Sequence, residues 1–247
     1  MRLTVIGCGD AFGSGGHHNT CFHVTAGARN ILIDCGASAL VALKAQRIDP
    51  NTIDAVILSH LHGDHFGGVP FLMLDAQYMS RRERPLLLAG PPGCAVRIPA
   101  LMEAMFPAST QTKFRFPWHI VEIPVGTPTD VLGLSVTSAE VIHFSGAPST
   151  ALRISDGAKT LAYSGDTEWT DALKPIAAGA DLFVVECYDY ARELTGHLSW
   201  RTIMARRTDL AARRIMVTHM NPTVLARRDE LRAAGVVVAE EGLSVEL

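Results

Sequence analysis

Ala55-Val56-Ile57-Leu58-Ser59-His60-Leu61-His62-Gly63-Asp64-His65 opens as an apolar run and closes with three imidazoles and a carboxylate inside six residues. The apolar part reads as a buried β-strand. Residues two apart in extended chain share a face, so His60 and His62 can point at one metal ion. Gly63 then turns the chain, which lets Asp64 and His65 serve a second ion close by, before a turn-like Phe66-Gly67-Gly68-Val69-Pro70. Imidazole nitrogen and carboxylate oxygen suit zinc, and manganese or iron can take the same set. A histidine-rich surface tract is the competing reading, but it fits poorly between a buried strand and a Gly-Gly turn with Asp embedded.

Three more candidates stand at the ends of apolar runs. His143 follows Ser138-Ala-Glu-Val-Ile142, Asp166 follows Leu161-Ala-Tyr-Ser-Gly165, and His219 follows Ile215-Met-Val-Thr218. Singly, each could be a cap or a satisfied core residue; the repeated pattern argues for a shared centre.

Strand-like runs cover 3–7, 21–24, 31–34, 55–59, 86–89, 134–141, 161–164, 182–186 and 215–218, most of them ending in or just before Gly, Asp, Ser or His. Helix-compatible stretches lie near 37–47, 66–79, 94–105, 169–178, 198–211 and 223–234. The early strands follow one another through Gly-rich turns, whereas later ones alternate with helices. Two packed sheets with helices outside fit this order, although patterning alone does not separate them from a doubly wound sheet.

A 247-residue chain with 48% apolar content can bury a large core, and a single domain over 1–247 is the expectation. The net charge of -3 gives no global footprint for nucleic acid or a membrane surface, and no segment reaches the roughly 20 apolar residues of a membrane span. Cys8, Cys21, Cys35, Cys94 and Cys187 are odd in number and lack a CxxC pair, so buried free thiols are expected rather than a disulfide framework. Met1-Arg2 runs straight into a strand-like segment without the pattern of a signal peptide. A cytoplasmic setting is the expectation.

With His60, His62, Asp64 and His65 matching HxHxDH without substitution, the chain resembles the metallo-β-lactamase superfamily over nearly its whole length. The resemblance implies an α/β fold, an αββα sandwich of two mixed β-sheets with helices on both outer faces. It further implies two divalent ions, zinc first: His60, His62 and His143 on one, Asp64, His65 and His219 on the other, Asp166 bridging. Water shared by two cations has a lowered pKa, so hydrolysis is the default chemistry. His62 disfavours the flavo-diiron redox branch, which usually has an acidic residue there.

Three features resemble the ribonuclease Z-like phosphodiesterase branch: the Gly-rich loop Gly7-Cys-Gly-Asp-Ala-Phe-Gly-Ser-Gly-Gly16, the strand-ending Glu186, and His197 in Gly196-His-Leu-Ser199. By this resemblance Glu186 orients His197 and His197 is the general acid, so the catalytic set is Asp64, Glu186 and His197. The plainer reading makes His197-Leu-Ser the start of a helix capped by Ser199. The Gly-rich loop lacks a P-loop ending and reads as a tight turn near the metals, with His17 and His18 as weak substrate-contact candidates.

Only 22 residues separate His143 from Asp166, enough for a strand pair with an Asp156-Gly157 turn but not for the protruding tRNA-gripping arm of ribonuclease Z. Arginines at 81–84, 206–207, 213–214 and 227–228 can contact an anion, yet such clusters are usually solvated faces, and aromatic content is low at 6%. A small anionic substrate, a cyclic or other small phosphodiester, is therefore expected ahead of RNA. A carboxylic ester, lactone or thioester hydrolase, with Tyr188 or Tyr190 as electrophilic donor, is the first alternative. A metal-binding sensor without turnover is the second. Residues 71–118 can cover the site, make an oligomer contact or simply fill the core, and a homodimer is implied by the resemblance alone.

Overall fold

The computed structural model describes residues 1–247. Its first sheet uses β1 (Arg2–Gly7), β2 (Cys21–Ala26), β3 (Arg29–Ile33), β4 (Ala55–Ile57), β5 (Leu86–Gly90) and β6 (Trp118–Glu122). The second uses β7 (Thr129–Val131), β8 (Leu134–Glu140), β9 (Thr150–Ser155), β10 (Thr160–Tyr163), β11 (Leu182–Glu186), β12 (Ile215–Thr218) and β13 (Val237–Val238), after which β14 (Ser244–Glu246) returns to the first. The orders are β14-β1-β2-β3-β4-β5-β6 and β13-β12-β11-β10-β9-β8-β7. Both are mixed: β3 to β6 and β10 to β13 run parallel, and the remaining neighbours antiparallel.

Most of these strands are apolar on both faces because each sheet is covered twice. Ile31, Ile33, Ala55, Ile57, Leu182 and Val184 join the core between the sheets, where Phe22 meets Tyr163 edge-on at 5.6 Å. Their neighbours Leu32 and Val56 face outward under α1 (Ala39–Ala45), α2 (Gly63–Phe66), α3 (Val69–Leu74) and α4 (Cys94–Met105). Phe183, Val185 and Val217 pack under α5 (Leu173–Ala177), α6 (Trp200–Ala205), α7 (Arg207–Leu210), α8 (Pro222–Leu225) and α9 (Arg228–Ala233). Helix, sheet, sheet, helix is the layering of the metallo-β-lactamase fold. No helix is long and apolar enough to cross a membrane.

The segment after the motif departs from expectation. Helix begins at Gly63, because the amides of His65 and Phe66 both bond the His62 carbonyl, so Phe66 is helical rather than in a turn. The helix predicted over 66–79 is interrupted at Gly67–Gly68, continues as α3, and ends in a π-turn, Asp75–Met79. The stretches at 198–211 and 223–234 are each two short helices. β6, β7, β13 and β14 were not anticipated: all are short strands at a sheet edge, and β6 carries only half-buried and exposed residues. Within 71–118, Met73 and Met102 are core, whereas Tyr78 and Met79 are exposed. β9 and β10 form the anticipated strand pair, with the Asp156 carboxylate accepting from the amides of Ala158 and Lys159 in its turn.

Candidate metal centre

The strand ends bring all seven candidate donors together. His60, His62 and His143 form one set and Asp64, His65, Asp166 and His219 another, the donor atoms of each lying within 4.8 Å of one another. In the first set His143 Nε2 is 2.9 Å from His62 Nδ1. In the second, Asp166 Oδ2 is 3.2 Å from His65 Nε2 and 3.3 Å from His219 Nε2, and Asp64 Oδ2 is 3.4 Å from His65 Nε2. Asp166 Oδ2 also lies 3.8 Å from His60 Nε2 and 3.9 Å from His143 Nε2, so one carboxylate oxygen faces both sets.

Four imidazoles are held by the nitrogen turned away from the centre. Asp34 accepts from His65 Nδ1 at 2.7 Å and from Ser59 Oγ at 2.7 Å, while Ser59 Oγ is 3.0 Å from His60 Nδ1. His143 Nδ1 donates to the Gly196 carbonyl at 2.8 Å, and His219 Nδ1 is 3.4 Å from Thr20 Oγ1. Such partners fix ring orientation and donor nitrogen. Gly196, at φ 82°, permits this approach: a Cβ there would lie 2.9 Å from His143 Nδ1. The buried Asp34, also at positive φ, was missed, although it ends the apolar run Ile31-Leu-Ile as Asp166 ends another.

Electrostatics match the geometry. Burial disfavours charge on Asp166, but His219, His65 and His60 hold its carboxyl well below the usual range. Burial, reinforced by His65, keeps His60 neutral, and burial also lowers His143 and His219. For His65, burial is outweighed by Asp166, Asp64 and Asp34, which raise it. His60 Nε2, His65 Nε2 and Asp166 Oδ1 are buried with no hydrogen-bond partner. Buried polar atoms are almost always satisfied, so these orphans, with their donor chemistry, fit divalent cations between the strand ends.

Glu186 and His197 stand beside this centre. His197 Nδ1 is 3.2 Å from each carboxylate oxygen of the fully buried Glu186, which also accepts from the Thr167 amide at 2.5 Å. Burial pushes Glu186 up, to about 8. Burial opposes charge on His197, yet the hydrogen bond and charge of Glu186 raise it to about 9. The pair therefore keeps at least one proton at neutral pH. Ser199 also caps α6, its Oγ accepting from the Thr202 amide at 3.1 Å, so the capping and pairing readings hold together.

A cavity of about 200 Å³ opens on the centre, lined by Ala11, Phe12, His62, Asp64, His143, Asp166, Tyr188, His197 and His219. A wider hollow of about 470 Å³ shares Ala11 and Asp64 with it and extends over Leu101 and Met105. Neither is lined by Lys or Arg. The Gly-rich loop thus reaches the site through Ala11 and the 80% exposed Phe12, not through His17 or His18. His17 turns instead toward Cys8 and Glu241. Tyr188 stacks on His197 at 4.5 Å, whereas Tyr190 lies outside the cavity with its hydroxyl on Glu230.

The arginine clusters are largely committed elsewhere. Arg82 is buried and donates to the carbonyls of Asn51, Ile53, Arg84 and Pro85. Arg84 pairs with Asp54, Arg213 with Asp181 and Arg228 with Glu240, while Arg206 lies over Trp169.

The probable metallo-hydrolase YhfI of Bacillus subtilis is 26% identical over 228 residues, spanning 89% of this chain and 87% of its own length. The crystal structure of YhfI, described as a metallo-β-lactamase fold protein, superposes with a TM-score of 0.78 at 24% identity, covering 99% of both chains. Ribonuclease Z of Mycobacterium bovis is 26% identical over 196 residues, 74% of this chain and 69% of that one. The short form of human tRNase Z gives a TM-score of 0.79 at 20% identity, over 100% of this chain and 99% of the other. The fold is thus the metallo-β-lactamase fold. The family model described as anti-Pycsar protein Apyc1 matches residues 1–241, and it is to this family that the chain belongs.

Proposed function

We propose that the chain is a dinuclear metal-dependent phosphodiesterase acting on small or cyclic phosphodiesters. The observation that carries this reading is the position of Asp166 Oδ2, within 3.9 Å of imidazole nitrogens from both donor sets. His60, His62 and His143 would hold one ion, Asp64, His65 and His219 the other, with Asp166 between them. Zinc is the first choice for these donors, and manganese or iron the alternatives. Bound there, the cations would acidify a water and balance charge on the phosphoryl oxygens.

The protein's own groups supply the rest. Asp64 reaches the cavity and orients the attacking water. His197 has Nδ1 committed to Glu186, which leaves Nε2 free to face the substrate. As the P–O bond breaks, the protonated imidazole passes its proton to the leaving oxygen, and Glu186 stabilises the charged ring before transfer. Phe12, Leu101 and Met105 offer apolar surface to the remainder of the substrate. The lack of Lys and Arg in both hollows favours a diester with a single phosphate over a polynucleotide. The names ribonuclease Z and tRNase Z, which denote cleavage of nucleic acid, support the chemistry rather than the size of substrate. One domain over 1–247, a homodimer and a cytoplasmic setting complete the proposal; the five cysteines, all buried and unpaired, suit a reducing compartment.

A second reading, an acyl-ester or lactone hydrolase, is favoured only by Tyr188 in the cavity wall. Hydrolysis of bis(p-nitrophenyl) phosphate, cyclic nucleotides and a lactone panel by wild type and His197→Ala, with metal analysis of both, separates the two. The proposal expects at least two ions per chain and phosphodiester cleavage that depends on His197. Lactone turnover indifferent to His197 would transfer the assignment to the second reading.

A further inference from the structure

Cys8, His17 and Glu241 form a mixed thiol, imidazole and carboxylate cluster behind the candidate centre. Their donor atoms lie within 4.8 Å of one another, with Cys8 buried and the other two partly buried. His17 Nδ1 is 3.8 Å from Cys8 Sγ and 3.4 Å from Glu241 Oε2. A charge-assisted N–H···O bond closes to about 2.7–2.9 Å, so the His17–Glu241 contact is looser than such a bond, and the Cys8–His17 contact is a long one through sulfur. Bonds of about 2.0 Å to N and O and 2.3 Å to S put tetrahedral neighbours about 3.3 Å apart for N and O and about 3.5 Å apart for N and S. The observed spacings are within a few tenths of an ångström of those edges.

The backbone is built around the cluster. Cys8 directly follows β1, and its carbonyl accepts from the His219 amide at 3.0 Å. Glu241 Oε1 accepts from the His18 amide at 2.6 Å, which turns Oε2 toward His17. The segment behind Glu241 is pinned to β1 by the Gly242 amide on Val5 O and the Val5 amide on Leu243 O. Gly15, at φ 70°, makes room for the ring: a Cβ there would lie 3.1 Å from His17 Cδ2. Arg228, the nearby cation, is paired with Glu240.

We infer that Cys8, His17 and Glu241 bind a third divalent cation, of the thiophilic zinc class, that ties the Gly-rich loop and the C-terminal segment to the strand end bearing His219. Loading exchanges the Cys8 S–H bond for a sulfur–metal bond, with the proton released to solvent; thiolate and carboxylate then balance the dication. His17 gives Nδ1, and solvent completes the coordination. The site stands independently of the phosphodiesterase reading, because it shares no donor with it.

Cobalt separates the two. The proposed catalytic donors are nitrogen and oxygen only, so a thiolate-to-cobalt charge-transfer band in the near ultraviolet can arise only at a cysteine site. Cobalt-loaded wild type is expected to show this band and three ions per chain. Cys8→Ser and His17→Ala should each lose one ion, and Cys8→Ser the band; Asp166→Ala should keep the band while losing the other ions. Absence of the band in wild type, or equal ion content in wild type and Cys8→Ser, would overturn the inference, whereas loss of the Asp166-dependent ions alone would bear only on the catalytic reading.

Discussion

From the end of β4 through α2, four candidate ligands come from six consecutive residues, whereas the second sheet delivers His143, Asp166 and His219 singly, after β8, β10 and β12. The first group is fixed locally. Asp34 holds His65 directly and His60 through Ser59, and the Cys35 amide bonds the His65 carbonyl at 2.6 Å. The second group depends on sheet register, since a one-residue slip would turn each ligand to the opposite face. The N-terminal half therefore presents a local motif, and the C-terminal half completes it only once the second sheet has formed and packed.

The most severe way to break the local half is His62→Ala, which should lose bound metal and turnover together, with kcat/KM falling on the order of 10³-fold. Metal analysis alongside bis(p-nitrophenyl) phosphate hydrolysis checks it; full metal content with full activity would remove His62 from the ligand set. On the dispersed half, His197→Ala should lower phosphodiester kcat by about 10²- to 10⁴-fold while the metal content stays at the wild-type value. That split between chemistry and metal content distinguishes an acid from a ligand.

A smaller effect is expected from Asp34→Asn, which leaves every ligand in place but removes the carboxylate holding His65. Metal affinity should weaken by about 10- to 100-fold, measurable by competition with a chelator, and added metal should restore turnover. The smallest concerns pH. His197 is raised to about 9 chiefly by Glu186 working against burial, so the proton-donating form persists below that value and is lost as pH rises through it. The kcat/KM profile should fall on that alkaline side, and Glu186→Gln, by removing the supporting charge, should move the fall to lower pH. An unmoved limb would show that Glu186 does not set the proton affinity of His197.

The same contrast explains what the amino-acid sequence made legible. The local motif could be read because strand, turn and candidate ligands are contiguous, and the other candidates because each follows a strand-like run. Asp34 carries the same signature in Ile31-Leu-Ile-Asp34 but lies outside the ligand set that the resemblance implies, so nothing singled it out. The partner of His17 is 224 residues away in the chain, a contact no local pattern encodes. β7 and β13 are too short to show a period, and β6 at a sheet edge lacks a fully buried face.

Asp166 joins the two halves, so it gives the most direct measurement: bound metal per chain and phosphodiester turnover for wild type and Asp166→Ala, compared at equal protein concentration. The bridging role predicts that the variant loses ions from both donor sets, leaving at most the ion at Cys8, with turnover at background. An Asp166→Ala protein with undiminished metal content and activity would contradict a shared carboxylate at the centre.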